Sequence, residues 1–159
     1  MKAFVRSRGY FVAEFLPEEA RLLSSLADQI IELIRDPEAH GTDPAVRRLL
    51  PDAYPDDAEA SAEFRRFTVD GLAERKAANA NQVAADLASA AEAKSASKVR
   101  LTDSSAGAWL RSLTDIRLTV ATRLGITEDG DLGTEDPELL DLYNWLGFVQ
   151  GSLVDCLDR

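Results

Sequence analysis

Apolar residues recur at steps of three and four through most of this chain, the spacing that lays them along one side of a helix. The beginning of the chain differs. Residues 3–7 and 10–15 are rich in Phe, Val and Tyr and flank Arg8-Gly9, which predicts a small β-hairpin with a tight turn. Pro17 then suits the first position of a helix, and Glu18 and Glu19 suit the positive end of its dipole. Leu22, Leu23, Leu26, Ile30, Ile31 and Ile34 carry that helix to about Arg35, where Asp36-Pro37 ends it.

Residues 37–56 contain Pro37, Pro44, Pro51 and Pro55 and read as a connector with one helical turn at Ala45–Leu50. Residues 57–93 read as helices: Phe64, Phe67, Thr68 and Leu72 give a buried stripe, and Gly71 offers a bend. From Ala73 the composition turns alanine-rich, which favours helix and lets a neighbour come close, but Val83 and Leu87 are its only large aliphatics. Lys98-Val99-Arg100-Leu101 alternates polar with apolar and can add a short strand beside the hairpin. Trp109, Leu113, Ile116, Val120 and Leu124 trace one face of a helix over 103–125 that stops at Gly125. An acidic loop at 127–137 follows, and Pro137 opens a last helix over 138–158 with Leu139, Leu142, Leu146, Val149, Leu153 and Cys156 along one side. The fold class expected is mainly α: one domain over 1–159, a bundle of about five helices with an N-terminal hairpin and room for a third strand.

At 159 residues, 45% of them hydrophobic, the chain can bury a core without staples. Cys156 is the one cysteine and His40 the one histidine, so neither an intramolecular disulfide nor a Cys/His metal cluster can form, and no cofactor is expected. The first residues carry charge every few positions, unlike a signal peptide, and no window is long and apolar enough for a bilayer; a cytoplasmic protein is the expectation. A formal charge of −10 disfavours autonomous binding to a phosphate backbone, which points to DNA contact that is weak or made through a partner.

The candidate sites are few. The loop from Glu128 to Asp136 invites a calcium reading, but counting from Asp129 puts Thr134 at the sixth position and Leu140 at the twelfth, where an EF-hand needs Gly and Glu. His40 lies beside Gly41 without a Ser or Cys motif nearby and reads as a turn residue. No phosphate-binding glycine loop is present. Arg47-Arg48, Arg65-Arg66 and Arg75-Lys76 could converge into an anion patch or pair with nearby carboxylates at helical spacing. Gly147 and Gly151, with Trp145 and Phe148, form a G-x-x-x-G that reads as close packing within the core or as the seam of a homodimer. Arg117, at the edge of its helix's apolar stripe, is expected in an ion pair. Cys156 sits on an apolar face between Asp155 and Asp158, where a cysteine packs as a small hydrophobe unless its thiol is reached as the last turn frays.

The runs Arg48-Leu49-Leu50-Pro51-Asp52-Ala53-Tyr54, Glu63-Phe64-Arg65-Arg66-Phe67-Thr68, Leu113-Thr114-Asp115-Ile116-Arg117-Leu118 and Leu142-Tyr143-Asn144-Trp145-Leu146-Gly147, with Lys76 and Asn79 between them, resemble an actinobacterial family. That family was long catalogued as a domain of unknown function, and members similar to this chain are AosR-type oxidative-stress transcriptional regulators. The resemblance implies a non-enzymatic protein working with an extracytoplasmic-function sigma factor and RNA polymerase, and an association with a Clp protease adaptor offers Clp components as alternative partners. An enzyme with an unrecognised carboxylate site is the third reading. The family's proposed intramolecular disulfide switch cannot operate with Cys156 alone; an intermolecular disulfide or a low-molecular-weight thiol adduct is what remains chemically open.

Overall fold

The computed structural model describes residues 1–36, 40, 42–51, 58–127 and 136–159, without the side chains at 58, 60–62 and 64–70. The acidic loop at 128–135, most of the connector, and the Arg65 and Arg66 side chains therefore lie outside the described residues. The chain runs β1 (Lys2–Ser7), β2 (Tyr10–Phe15), α1 (Pro17–Arg35), α2 (Pro44–Leu49), α3 (Ala58–Glu92), β3 (Ser97–Leu101), α4 (Asp103–Leu124) and α5 (Pro137–Leu157). Five helices, the hairpin and the third strand agree with the expected fold class.

The three strands form one antiparallel sheet in the order β1-β2-β3. Arg8 and Gly9 both take positive φ, 52° and 85°, the two-residue conformation that matches the twist of paired strands. An irregularity between Lys2 and Val5 shifts the register of β1 and turns Phe4 inward. Phe4, Phe11, Ala13, Phe15, Val99 and Leu101 then make up the inner face of the sheet, all buried. Trp109 of α4 closes against this face, its ring 5.8 Å from Phe4 and 6.0 Å from Phe15. Its indole N–H donates to Asp86 of α3 at 2.9 Å, so the largest core side chain also ties two helices together.

The helix boundaries follow local chemistry. Asp43, Thr102 and Asp136 cap α2, α4 and α5 by accepting from Ala45, Ser105 and Leu139 N–H. Pro17, Pro44 and Pro137 stand in the first turns of their helices, where a missing N–H costs nothing. Gly125, at φ 74°, closes α4 in the left-handed conformation.

Where helices are expected over 57–93, with a bend offered at Gly71, Ala58–Glu92 form one helix. Its described core-facing positions, Ala80, Val83, Leu87 and Ala90, are buried at steps of three and four. They pack towards α1, where Ala20, Leu23, Ala27 and Ile30 are buried, and α1–α3 is the most extensive helix pairing among the described residues. Small residues on both sides let the backbones approach, and Arg21 donates to the Ala91 carbonyl at 2.9 Å, fixing the two helices antiparallel.

Candidate functional site

Helix α4 presents polar groups towards α3 on one side and α5 on another. Towards α3 it carries Asp115, only 3% exposed, whose carboxylate accepts from Lys76 Nζ at 2.6 Å. Burial pushes the Asp115 pKa above the ordinary carboxylate range, against the pull of the Lys76 hydrogen bond and charge. The pair lies in an open cleft of about 520 Å³ between the two helices, with Arg75, Asn79, Arg111 and Thr114 around it. Three cations against one carboxylate make the cleft hospitable to a small anion. It holds no activated nucleophile among the described residues: the Thr114 hydroxyl donates to the Leu110 carbonyl at 2.9 Å and accepts from Gln150 at 2.8 Å.

Towards α5, α4 carries Arg117. Its guanidinium donates to Gln150 Oε1 at 2.8 Å and lies 4.8 Å from the Tyr143 ring centroid. Among the described residues no carboxylate pairs with it, which corrects the expected ion pair: an amide oxygen and an aromatic face meet the cation instead, and its Nε is buried without a hydrogen bond. Gly147 faces this guanidinium, and a Cβ there would stand 3.5 Å from Arg117 Nη2, an ordinary contact that does not require glycine. A Cβ at Gly151 would meet nothing within 4 Å, so the two glycines do not form a shared close-packing face inside the chain. Trp145 packs on the core with its indole N–H buried and unpartnered, whereas Phe148 is 48% exposed. The four residues expected along one seam thus divide, Trp145 and Gly147 turned inward and Phe148 and Gly151 outward.

Cys156 is buried and packs in the apolar stripe of α5 with Leu146, Val149 and Leu153. It also lines a groove of about 680 Å³ between β1 and α5, whose walls include Val5, Phe148, Asp155 and Arg159. The Ser152 hydroxyl accepts from the Phe4 N–H at 3.5 Å in that groove, joining the strand to the helix.

The basic pairs are spread out. Arg48 donates to the Ile126 carbonyl at 2.9 Å, Arg47 is exposed on α2, and Lys76 pairs across helices with Asp115 and not at helical spacing. His40 is exposed and borders an apolar cleft between α1 and α4. Nearby, Asp43 takes two hydrogen bonds from Arg123, at 2.8 and 2.7 Å, and the guanidinium holds its carboxyl below the usual range. Among the described residues no group of three His, Cys, Asp or Glu side chains is set to hold a metal ion, and no helix is long and apolar enough to cross a membrane.

Sequence reasoning missed one gathering of positive charge among the described residues. The sheet and its turn (2–15 and 97–101) carry Lys2, Arg6, Arg8, Lys98 and Arg100 against Glu14 alone. The signal was the alternation in β3, which puts Val99 and Leu101 inward and Lys98 and Arg100 outward.

A family model described as "Domain of unknown function (DUF2017)" matches residues 1–157. The "Oxidative stress regulator AosR" of Mycobacterium tuberculosis is 28% identical, over 91% of this chain and 80% of the relative. The protein of that name in Mycobacterium bovis is similar to the same extent, 28% identical over 91% and 80%. No solved structure matches the chain. The resemblance drawn from the residues is borne out at the level of the family.

Proposed function

Since this chain belongs to the family described as a domain of unknown function, DUF2017, we propose that it is a non-enzymatic regulator of the oxidative-stress response that works through protein contacts, with a sigma factor and RNA polymerase as partners. The observation that carries this reading is the similarity to proteins named oxidative stress regulators along 91% of the chain. The charge balance supports it: at −10 the protein is better suited to protein surfaces than to bare phosphate backbones. The polar groups between the helices support it too. Thr114, Gln150, Arg117 and Asp115 are engaged with one another or with neighbouring helices, as side chains that hold a structure together are.

Regulation by an intramolecular disulfide is chemically closed to a chain with one thiol. Cys156, 5% exposed in the apolar stripe of α5, is also poorly placed to meet an oxidant. Its alkylation by a maleimide is expected to be at least about tenfold slower in the native protein than in urea. Equal rates would mean that the end of α5 opens readily.

The test of function is capture of the tagged protein from its host, with and without mild oxidant, and identification of what comes with it. Recovery of a sigma factor or RNA polymerase is the expected result, and Cys156→Ser should recover them equally under both conditions. Absence of both partners from both captures would overturn the reading. Clp components in their place would move it to an adaptor in proteolysis.

A further inference from the structure

The charge of this protein is divided unevenly. Within 2–15 and 97–101, five cations face one carboxylate, a balance of +4, which leaves −14 on the other residues of a chain whose formal charge is −10. The antiparallel register brings Lys2, Lys98 and Arg100 to one face, whereas Arg6 stands opposite Phe11, stacks on its ring and reaches Asp103 at 3.8 Å. Lys2 pairs with Glu14, and Glu14 in turn stands opposite Lys98; Val5 stands opposite Val12, and Val12 opposite Arg100. These residues share the outer face of the sheet, since their neighbours Phe11, Ala13, Val99 and Leu101 are buried on the inner one.

The outer face is solvent-facing and mixed in character. Val5 is 58% exposed and Tyr10 44% exposed on this face, opposite the one that packs on the helices. A shallow depression of about 260 Å³ runs beside Val5 and Val12, with Lys2, Glu14 and Lys98 at its edge. The Lys2 hydrogen bond, helped by the charge of Lys98, holds the Glu14 carboxyl below its ordinary range, so this face meets a partner with Glu14 ionised and Lys2 neutralised by it. Lys98 and Arg100 make no salt bridge among the described residues.

We propose that the outer face of the β1-β2-β3 sheet is a docking surface for an acidic, amphipathic segment of a partner protein. Apolar side chains of that segment meet Val5, Val12 and Tyr10, and its carboxylates meet Lys98, Arg100 and Arg8. This deepens the regulator reading and rests on it. Charge argues against the other occupants. Two copies meeting face to face would set Lys98 and Arg100 against their own equivalents, a like-charge contact. A nucleic-acid duplex is long and stiff, so beyond the sheet it would run into a molecule that carries −14, whereas a short segment sees only the basic face. The face is also small, three strands of five or six residues, which suits a transient peptide contact better than a permanent interface.

The probe is a fluorescein-labelled ten-residue peptide alternating Glu with Leu, titrated by anisotropy into the full chain at low and moderate salt. Binding should weaken with salt, and it should fall at least about tenfold with Lys98→Glu/Arg100→Glu, whose melting temperature serves as the control for folding. Replacing the peptide's Leu by Ser should cost a comparable factor. Amide resonances of β1, β2 and β3 should shift on binding while those of α3 and α5 do not. Failure of the peptide to bind, binding unchanged by the charge reversal, or shifts located elsewhere would overturn the proposal. So would tighter binding of a thymidine oligonucleotide to the same face, which would assign it to nucleic acid. The two readings fail separately. If the reversed variant still captures a sigma factor or polymerase, the surface is wrong and the regulator stands. If the unaltered protein captures neither while the peptide result holds, the surface stands and the regulator reading falls.

Discussion

A carboxylate carried inward by a helix needs a counterion or a proton. Asp115 has the first in Lys76 at 2.6 Å, and burial has already moved it part of the way toward the second. The folded residue holds its proton more tightly than the unfolded one. Asp115 therefore favours the folded state most at low pH, and that contribution is lost as pH rises through the folded pKa. Lys76→Met removes the counterion and raises the folded pKa further. Its cost should be about 3 kcal/mol at pH 7, where the carboxylate must be buried charged, and markedly less near pH 4. Urea unfolding at the two pH values measures the difference, and a loss independent of pH would mean that Lys76 acts by packing alone. No pattern in the sequence marks this pair. Lys76 reads as half of a surface doublet and Asp115 as one of many carboxylates, because only the α3–α4 crossing brings positions 39 apart together.

At the scale of elements, legibility depended on the size of the side chain that does the packing. The large residues of α4 (Trp109, Leu113, Ile116, Val120 and Leu124) are all buried, as their spacing predicts. In α1 the same reasoning misplaced the stripe by a fraction of a turn. Leu22 is 44% exposed, and Ala20 and Ala27 stand in the contact instead. Alanine carries little periodic signal, but an alanine-rich partner selects it, because two helices can close only where neither has bulk. This makes the α1–α3 seam intolerant of volume. Ala80→Leu should destabilise the protein by about 1–3 kcal/mol through overpacking, while Ala78→Leu, two positions away and exposed, should change stability by less than about 0.5 kcal/mol. Chemical denaturation of both variants checks it, and equal effects would mean that the helices are not held at close contact. The continuity of α3 past Gly71 was illegible for a related reason: one glycine costs about 1 kcal/mol, which a run of strong helix formers on its C-terminal side can offset.

For the whole molecule, the separation of charge sets two effects of salt against each other. A formal charge of −10, concentrated outside the sheet, means that long-range repulsion among carboxylates opposes the folded state at low ionic strength. Screening relieves this beyond about 10 Å, while close contacts such as Asp43–Arg123 and Lys76–Asp115, at 2.6–2.8 Å, are weakened much less. Raising sodium chloride from about 10 to about 200 mM should therefore raise the melting temperature by about 2–4 °C, the shift that roughly 1 kcal/mol produces in a chain of this length. The attraction of the basic sheet for an acidic segment should weaken over the same range, because it acts between exposed groups. Stability and binding thus move in opposite directions with salt if the charges are partitioned as the sheet register implies. A melting temperature that falls with salt would mean that local ion pairs outweigh the net repulsion. In that case the −14 outside the sheet is already neutralised in place, and the argument that an extended polyanion is turned away loses its basis.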